Sequence, residues 1–157
     1  MTADLSAIGL TVPDFSLPGT GGEFRLSAFP GKPLVIYFYP KDSTPGCTTE
    51  AGQFRDLHDE FEKLGCAILG ISRDSLKSHQ GFKAKLGLPF ELLSDTDETA
   101  CRLFDVIRMK KLYGRETLGI QRSTFLIDRA GVLRREWRTV KADGHAAEVL
   151  AAARLLQ

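Results

Sequence analysis

The chain has only three cysteines in 157 residues, and no two of them form a C-x-x-C pair. An odd number of thiols argues against a structural disulfide framework. The missing C-x-x-C argues against a thioredoxin-type disulfide reductase. Cys47, Cys66, Cys101, His58, His79 and His145 are scattered rather than grouped at the short spacings of a zinc site, so no metal is expected. An excess of charge of one sign is also lacking: 21 Lys and Arg against 20 Asp and Glu leave a net charge of +1. That balance carries no electrostatic footprint for nucleic acid or an anionic membrane. No apolar run approaches the roughly 20 residues that span a bilayer. Met1–Leu10 contains Asp4 and lacks the basic-then-apolar pattern of a secretory leader, so a cytoplasmic location is expected. No repeat, low-complexity tract or linker interrupts residues 1–157, which read as a single domain.

What the chain does have is an alternation of strand and helix patterns. Phe15–Leu17 and Glu23–Leu26 flank Pro18-Gly19-Thr20-Gly21-Gly22, which predicts a short N-terminal β-hairpin. Leu34–Tyr39 is a continuous apolar run, as expected of a strand covered on both faces. Thr48–Leu64 carries Ala51, Phe54, Leu57, Phe61 and Leu64 at helical spacing, with Gly65 as its stop. Cys66–Ile71 predicts a second buried strand, parallel to the first through a right-handed crossover. A helix capped by Asp74 or Ser75 runs to Leu86, with Gly87 after it. Glu91–Ser94 is a short strand, and Asp95 caps a helix to about Phe104. Ser123–Ile127 and Val132–Arg138 predict two strands joined by a turn at Asp128–Gly131, and Val149–Leu156 belongs to a last helix. The segment Asp105–Gln121, with Arg108, Lys110, Lys111 and Arg115, shows no clear period and reads as a basic irregular loop. The fold class is α/β, a mixed central sheet with helices on both faces.

Cys47 lies in the connection between the first long strand and the first helix, within Tyr39-Pro40-Lys41-Asp42-Ser43-Thr44-Pro45-Gly46-Cys47-Thr48-Thr49-Glu50. Free N–H groups and the helix dipole stabilise an anion at such a helix start. Thr44 supplies a hydroxyl on the same connection. Pro40 and Pro45 stiffen it and bring no N–H donors of their own. Arg122, just before the Ser123–Ile127 strand, is a candidate cation, on the expectation that parallel neighbours bring strand ends together. Glu50 in the first helical turn is a candidate to orient that arginine. From local physics alone, each of these residues has a plain alternative: Cys47 as a small packed side chain, Thr44 as a turn residue, Glu50 as a favourable charge at a helix N-terminus, Arg122 as a surface side chain.

The spacing P-x-x-x-T-x-x-C over Pro40, Thr44 and Cys47 resembles the signature of the peroxiredoxins. The longer run Phe38–Ala51 is similar to the bacterioferritin comigratory protein, or peroxiredoxin Q, subfamily. The resemblance extends through Pro13-Asp14-Phe15, Gly70–Asp74, Leu93-Ser94-Asp95 and Arg122–Asp128, in order along nearly the whole chain. It implies a thioredoxin-like fold and a thiol-dependent peroxidase acting on hydrogen peroxide and alkyl hydroperoxides. By the same resemblance, Cys47 is the peroxidatic cysteine and Pro40 shields its sulfur. Thr44 hydrogen-bonds the peroxide, and Arg122 polarises it. The N–H groups of Gly46 and Cys47 contact its oxygens, and Glu50 holds Arg122. Thiol chemistry carries the electrons, so no cofactor is implied. The expected partners are peroxide substrates and a thiol reductant, which is thioredoxin, glutaredoxin or a low-molecular-weight thiol, with no nucleic acid and no membrane, and the expected state is a monomer.

The chain departs from the subfamily where many members carry a resolving cysteine. Five residues after Cys47 stands Gly52, and Lys77–Leu86 contains no cysteine. Cys66 opens an apolar strand and reads as packed. Cys101 is the remaining possible resolving thiol. A one-cysteine cycle completed by an external thiol is therefore expected, with a Cys47–Cys101 cycle as the alternative. A non-enzymatic redox sensor or binding module is the competing class, because a sensor needs the same reactive thiol. A smaller departure is Asp105-Val106, where many relatives have glycine before the valine.

Overall fold

Five strands form the central sheet of the computed structural model, which describes residues 7–29 and 31–156. Most of the N-terminal stretch read for a leader, residues 1–6, lies outside them. The sheet is assembled from β3 (Leu34–Phe38), β4 (Ala67–Ser72), β5 (Glu91–Ser94), β8 (Ser123–Ile127) and β9 (Leu133–Arg138), in the order β5-β4-β3-β8-β9. β3 runs parallel to β4 and antiparallel to β8, so the sheet is mixed. The predicted N-terminal hairpin is present as β1 (Ser16–Leu17) and β2 (Phe24–Arg25), pinned to β5 by a bridge between Gly19 and Leu93.

Every side chain of β3 is buried, and the pleat sends alternate residues to opposite faces. Val35 and Tyr37 enter one core together with α1 (Pro45–Asp56), α2 (His58–Lys63), α3 (Leu76–Leu86) and α5 (His145–Arg154). Leu34, Ile36 and Phe38 enter a second core with the N-terminal hairpin and α4 (Thr99–Leu103). The sheet thus separates two apolar layers. At Gly70 in β4 a Cβ would stand 2.8 Å from Leu92 Cδ2 and 2.9 Å from the Tyr37 ring. Only glycine lets those two side chains close over the strand.

Several boundaries differ from expectation. The helix predicted over Thr48–Leu64 starts earlier, at Pro45, and breaks at Leu57 into α1 and α2. Phe54 and Phe61 are two turns apart in sequence, about 10 Å along an unbroken helix. The break brings their rings to 6.0 Å in one core. β4 is shifted by one residue, to Ala67–Ser72. α3 is capped by Ser75, whose hydroxyl accepts the Ser78 N–H, and Gly87 closes it at φ 63°. Asp95 is not the dihedral N-cap of α4, yet its carboxylate accepts the Ala100 and Cys101 N–H groups at 3.1 and 2.7 Å. α5 begins at His145, four residues before the expected start.

The largest correction concerns Asp105–Gln121. It is an antiparallel hairpin, β6 (Ile107–Leu112) and β7 (Arg115–Ile120), turning through Tyr113-Gly114 at φ 53° and 78°. Positive φ at both central residues is the two-residue turn that matches strand twist. Only its base enters a core: Ile120 is buried, while Met109 and Leu118, two rungs further out, are exposed. A hairpin that leaves the body at its base has no buried face to impose a period of two.

Candidate active site

The connection from β3 to α1 carries Cys47, and the sequence explains its shape. Tyr39 prolongs β3 by donating its N–H to Ile71 O at 3.1 Å. Ser43 then takes φ 66°, a left-handed conformation that disfavours residues with a Cβ. Thr44 returns to extended backbone as the N-cap, and Pro45 starts the helix at the position where a missing N–H costs nothing. The first helical bond runs from Thr48 N–H to Thr44 O at 2.9 Å. The N–H groups of Gly46 and Cys47 therefore stand at the open helix end, with no acceptor among the described residues. The Thr44 hydroxyl does not cap the helix; it donates to Lys41 O at 2.8 Å. Cys47 itself is 1% exposed, and Pro40 is half-buried.

Arg122 reaches this site because β8 runs antiparallel to β3, not parallel as expected. Ser123 pairs with Phe38, so the residue before β8 lies beside the connection that follows β3. Its Nη2 lies 3.4 Å from Cys47 Sγ, and its Nη1 donates to Glu50 Oε1 at 2.6 Å. Gly46 makes the approach possible: a Cβ there would meet Arg122 Nη2 at 3.1 Å. Glu50 is wholly inside the protein, and its second carboxylate oxygen has no partner among the described residues. Burial pushes its pKa up to about 7, against the opposing pull of Arg122. At Arg122 the balance reverses. Burial opposes its charge, but water still reaches one side, and Glu50 and Cys47 together raise its pKa.

The other two thiols lie elsewhere. Cys66 precedes the first rung of the β3–β4 pair and Cys47 follows the last, so about 13 Å of strand separates the two ends. Burial pushes the Cys66 thiol up to about 12. Cys101 is fully buried in the second core, across the sheet from Cys47. Burial, then the Asp95 carboxylate, raise its pKa far above the ordinary thiol range. Of the basic residues in the β6–β7 region, Lys110 lies within electrostatic reach of Arg122 and Cys47. Its Nζ donates to Ile120 O at 2.6 Å, and burial, Arg122 and Arg73 lower its pKa. Arg108 is paired with Asp105 at 3.0 Å.

Residues 8–136 match the model of the AhpC/TSA family. The chain belongs to the AhpC/TSA family. Among its relatives, the Peroxiredoxin Bcp of Xanthomonas campestris pv. campestris is 53% identical over 150 residues, covering 94% of each chain. The Peroxiredoxin Bcp of Bacillus subtilis is 52% identical over 144 residues, covering 91% of this chain and 92% of that one. A structure of Xanthomonas campestris Peroxiredoxin Q superposes with a TM-score of 0.87 at 54% identity, over 91% of this chain and 92% of that one. A Xylella fastidiosa PrxQ mutant gives 0.89 at 44% identity, over 95% and 96%. This AhpC/TSA member is thus a peroxiredoxin with a thioredoxin-like fold, an enzyme that reduces peroxides with thiols. The sensor or binding-module reading gives way to that of an enzyme. No helix among the described residues is long and apolar enough to cross a membrane.

One part of this peroxiredoxin site was not anticipated. Asp42, between Pro40 and Thr44, is buried and accepts the Tyr39 hydroxyl at 2.6 Å and the Ser78 hydroxyl at 2.8 Å. His79 of α3 lies 2.7 Å from the same carboxylate. The available signal was helical spacing: His79 stands three residues from both Leu76 and Phe82, on the apolar stripe of α3.

Proposed function

We propose that the protein reduces hydrogen peroxide and alkyl hydroperoxides at Cys47 through a sulfenic acid that an external thiol resolves. The observation that carries this reading is the Arg122 guanidinium spanning Cys47 Sγ and Glu50 at an open helix N-terminus. The Cys47 thiolate attacks one peroxide oxygen. The S–O bond forms as the O–O bond breaks, and an alcohol or water leaves after taking a proton. The Gly46 and Cys47 N–H groups and Arg122 stabilise charge moving onto the leaving oxygen, which matters because nucleophilicity falls as a thiol becomes more acidic. The Thr44 proton is committed to Lys41 O, so its free lone pairs accept the peroxide O–H and orient the attack. Pro40 shields the sulfur.

An external thiol then attacks the sulfenic acid and releases water, and a second thiol displaces Cys47 from the mixed disulfide. Cys101 is a poor resolving thiol on two grounds: it lies across the sheet, and it stays protonated. Disulfide formation needs Cα atoms within about 7 Å. Thioredoxin, glutaredoxin or a low-molecular-weight thiol serves as reductant, and the enzyme acts as a cytoplasmic monomer.

The test is intact-protein mass after one equivalent of hydrogen peroxide with dimedone present, for wild type, Cys47→Ser and Cys101→Ser. A dimedone adduct in wild type and Cys101→Ser, absent in Cys47→Ser, is expected. Loss of two hydrogens in wild type, with an adduct only in Cys101→Ser, would make Cys101 the resolving thiol.

A further inference from the structure

The carboxyl ends of parallel strands are where an open α/β sheet gathers its ligand-binding groups. Cys47 follows β3, Arg73 follows β4, and Arg122 precedes the antiparallel β8, so all three stand at one end of the sheet. The β6–β7 hairpin is fastened to this end. Gln121 donates its N–H to Val106 O at 2.7 Å, and Arg73 Nη2 donates to Leu118 O at 3.4 Å. Lys110 is paired with Thr117, and its side chain turns back toward the base of the hairpin. Its path runs over Gly119, where a Cβ would meet Lys110 Cδ at 3.3 Å and Cε at 3.4 Å. The ammonium ends on Ile120 O, two residues before Arg122.

Three guanidinium groups of this region each have a carboxylate: Arg122 has Glu50 at 2.6 Å, Arg73 has Glu98 at 2.9 Å, and Arg108 has Asp105 at 3.0 Å. Lys110 has none among the described residues. Lys111 and Arg115 belong to the outer rungs of the hairpin and are exposed. An ammonium has three N–H donors, and Ile120 O takes one of them. The half-buried Lys110 thus keeps two donors and an uncompensated charge. Burial, Arg122 and Arg73 oppose that charge, while Cys47 supports it; an added anion would support it too. The peroxide step leaves Lys110 unused, because Arg122, the Gly46 and Cys47 N–H groups and Thr44 serve the oxygens. The second substrate of the cycle, the external thiol, has no partner among those groups.

We propose that Lys110 is a subsite for the carboxylate of a small anionic thiol, and that it holds this second substrate with its sulfur directed to the Cys47 sulfenic acid. The inference rests on the external-thiol cycle proposed above. The thiolate sulfur attacks Cys47 Sγ. The S–S bond forms as the S–O bond breaks, and hydroxide leaves as water with the proton that the thiol gave up. A second thiol loses its proton to solvent and attacks the outer sulfur of the mixed disulfide, and Cys47 departs as thiolate. Two thiols become one disulfide, and the sulfenic acid is reduced by two electrons. Lys110 forms no covalent bond in either step. It selects the charge of the thiol, since a cationic thiol is repelled where an anionic one is held.

The experiment is quenched-flow mass measurement of mixed-disulfide formation after one equivalent of hydrogen peroxide. The thiols are mercaptopropionate and cysteamine, similar in size, whose second group is a carboxylate in one and an ammonium in the other. The readout is the ratio of the two rates, compared between proteins so that the intrinsic reactivities of the thiols cancel. Lys110→Gln is expected to lower the ratio by about fivefold or more, and Lys110→Glu to lower it further, while Lys110→Arg retains most of it. In wild type the ratio is expected to fall as salt is raised to about 0.5 M. If Lys110→Gln slows both thiols in proportion, or leaves the ratio as it was, the subsite is overturned. Should the variants not fold, a wild-type ratio insensitive to salt overturns it. A sulfenic acid that neither thiol consumes would remove small thiols from the cycle, and the subsite with them. A wild-type protein that forms no sulfenic acid at Cys47 would sink the cycle itself.

Discussion

Gly46 is the smallest residue at the site and the one with the least room. Its missing Cβ is what lets the Arg122 guanidinium lie against the first turn of α1. Gly46→Ala keeps the backbone N–H and is compatible with a helix, so it tests the approach of the arginine alone. We expect its reaction with hydrogen peroxide to slow by about tenfold or more, followed by stopped-flow, with the fold retained by circular dichroism. An unchanged rate would show that Arg122 has freedom to step aside without consequence. Cys47 was legible in the sequence because its spacing to Pro40 and Thr44 and its place at a strand–helix junction are local properties. Arg122 was legible as a candidate, but for the wrong topological reason, since nothing local distinguishes an antiparallel return from a parallel one. The Asp42–His79 contact joins residues far apart in the chain. A buried polar side chain looks like an exposed one until the partner element is in place.

α1 is held at several points along its length. Glu50 fixes its first turn to Arg122. Further along, the Gln53 amide donates to Asp143 Oδ1 at 2.6 Å and accepts the Gly144 N–H at 2.8 Å, closing a two-bond clamp onto the start of α5. Arg55 donates to Leu86 O at the end of α3 at 2.9 Å. Gln53→Ala removes both clamp bonds on a partly exposed face. A loss of about 1–2 kcal/mol in urea unfolding is expected, with the denaturant slope unchanged; a change in slope would mean that α1 and α5 no longer unfold together. Elements with a buried stripe or a strong cap were readable: β3 from its apolar run, α3 from Ser75 and Gly87, β5 to the residue. The β6–β7 hairpin was not, because its side chains mostly meet water. The α1–α2 break was not either, because the apolar spacing continues through Leu57 while the axis turns.

Glu50 also matters to the stability of the whole molecule. Its pKa is about 7 in the folded protein against 4.5 as the ordinary value. The folded state therefore binds a proton in the interval where the unfolded chain has released it. The sign follows: Glu50 costs nothing below the unfolded value, and its cost grows until the pH has risen through about 7, where it reaches on the order of 3 kcal/mol. Glu50→Gln keeps an acceptor for Arg122 but cannot ionise. Between about pH 5 and pH 8, the wild-type melting temperature should fall more steeply than that of the variant. Parallel profiles would mean that Glu50 is ionised throughout. At this scale the sheet has one further consequence. It sets Cys47 and Cys101 in separate apolar compartments, so on the proposed cycle the chain stores a two-electron oxidation on one sulfur and has no second thiol beside it to share the load. Each peroxide reduced becomes a debt settled by a second molecule, and when thiol runs short, the waiting sulfenic acid is what the next peroxide meets.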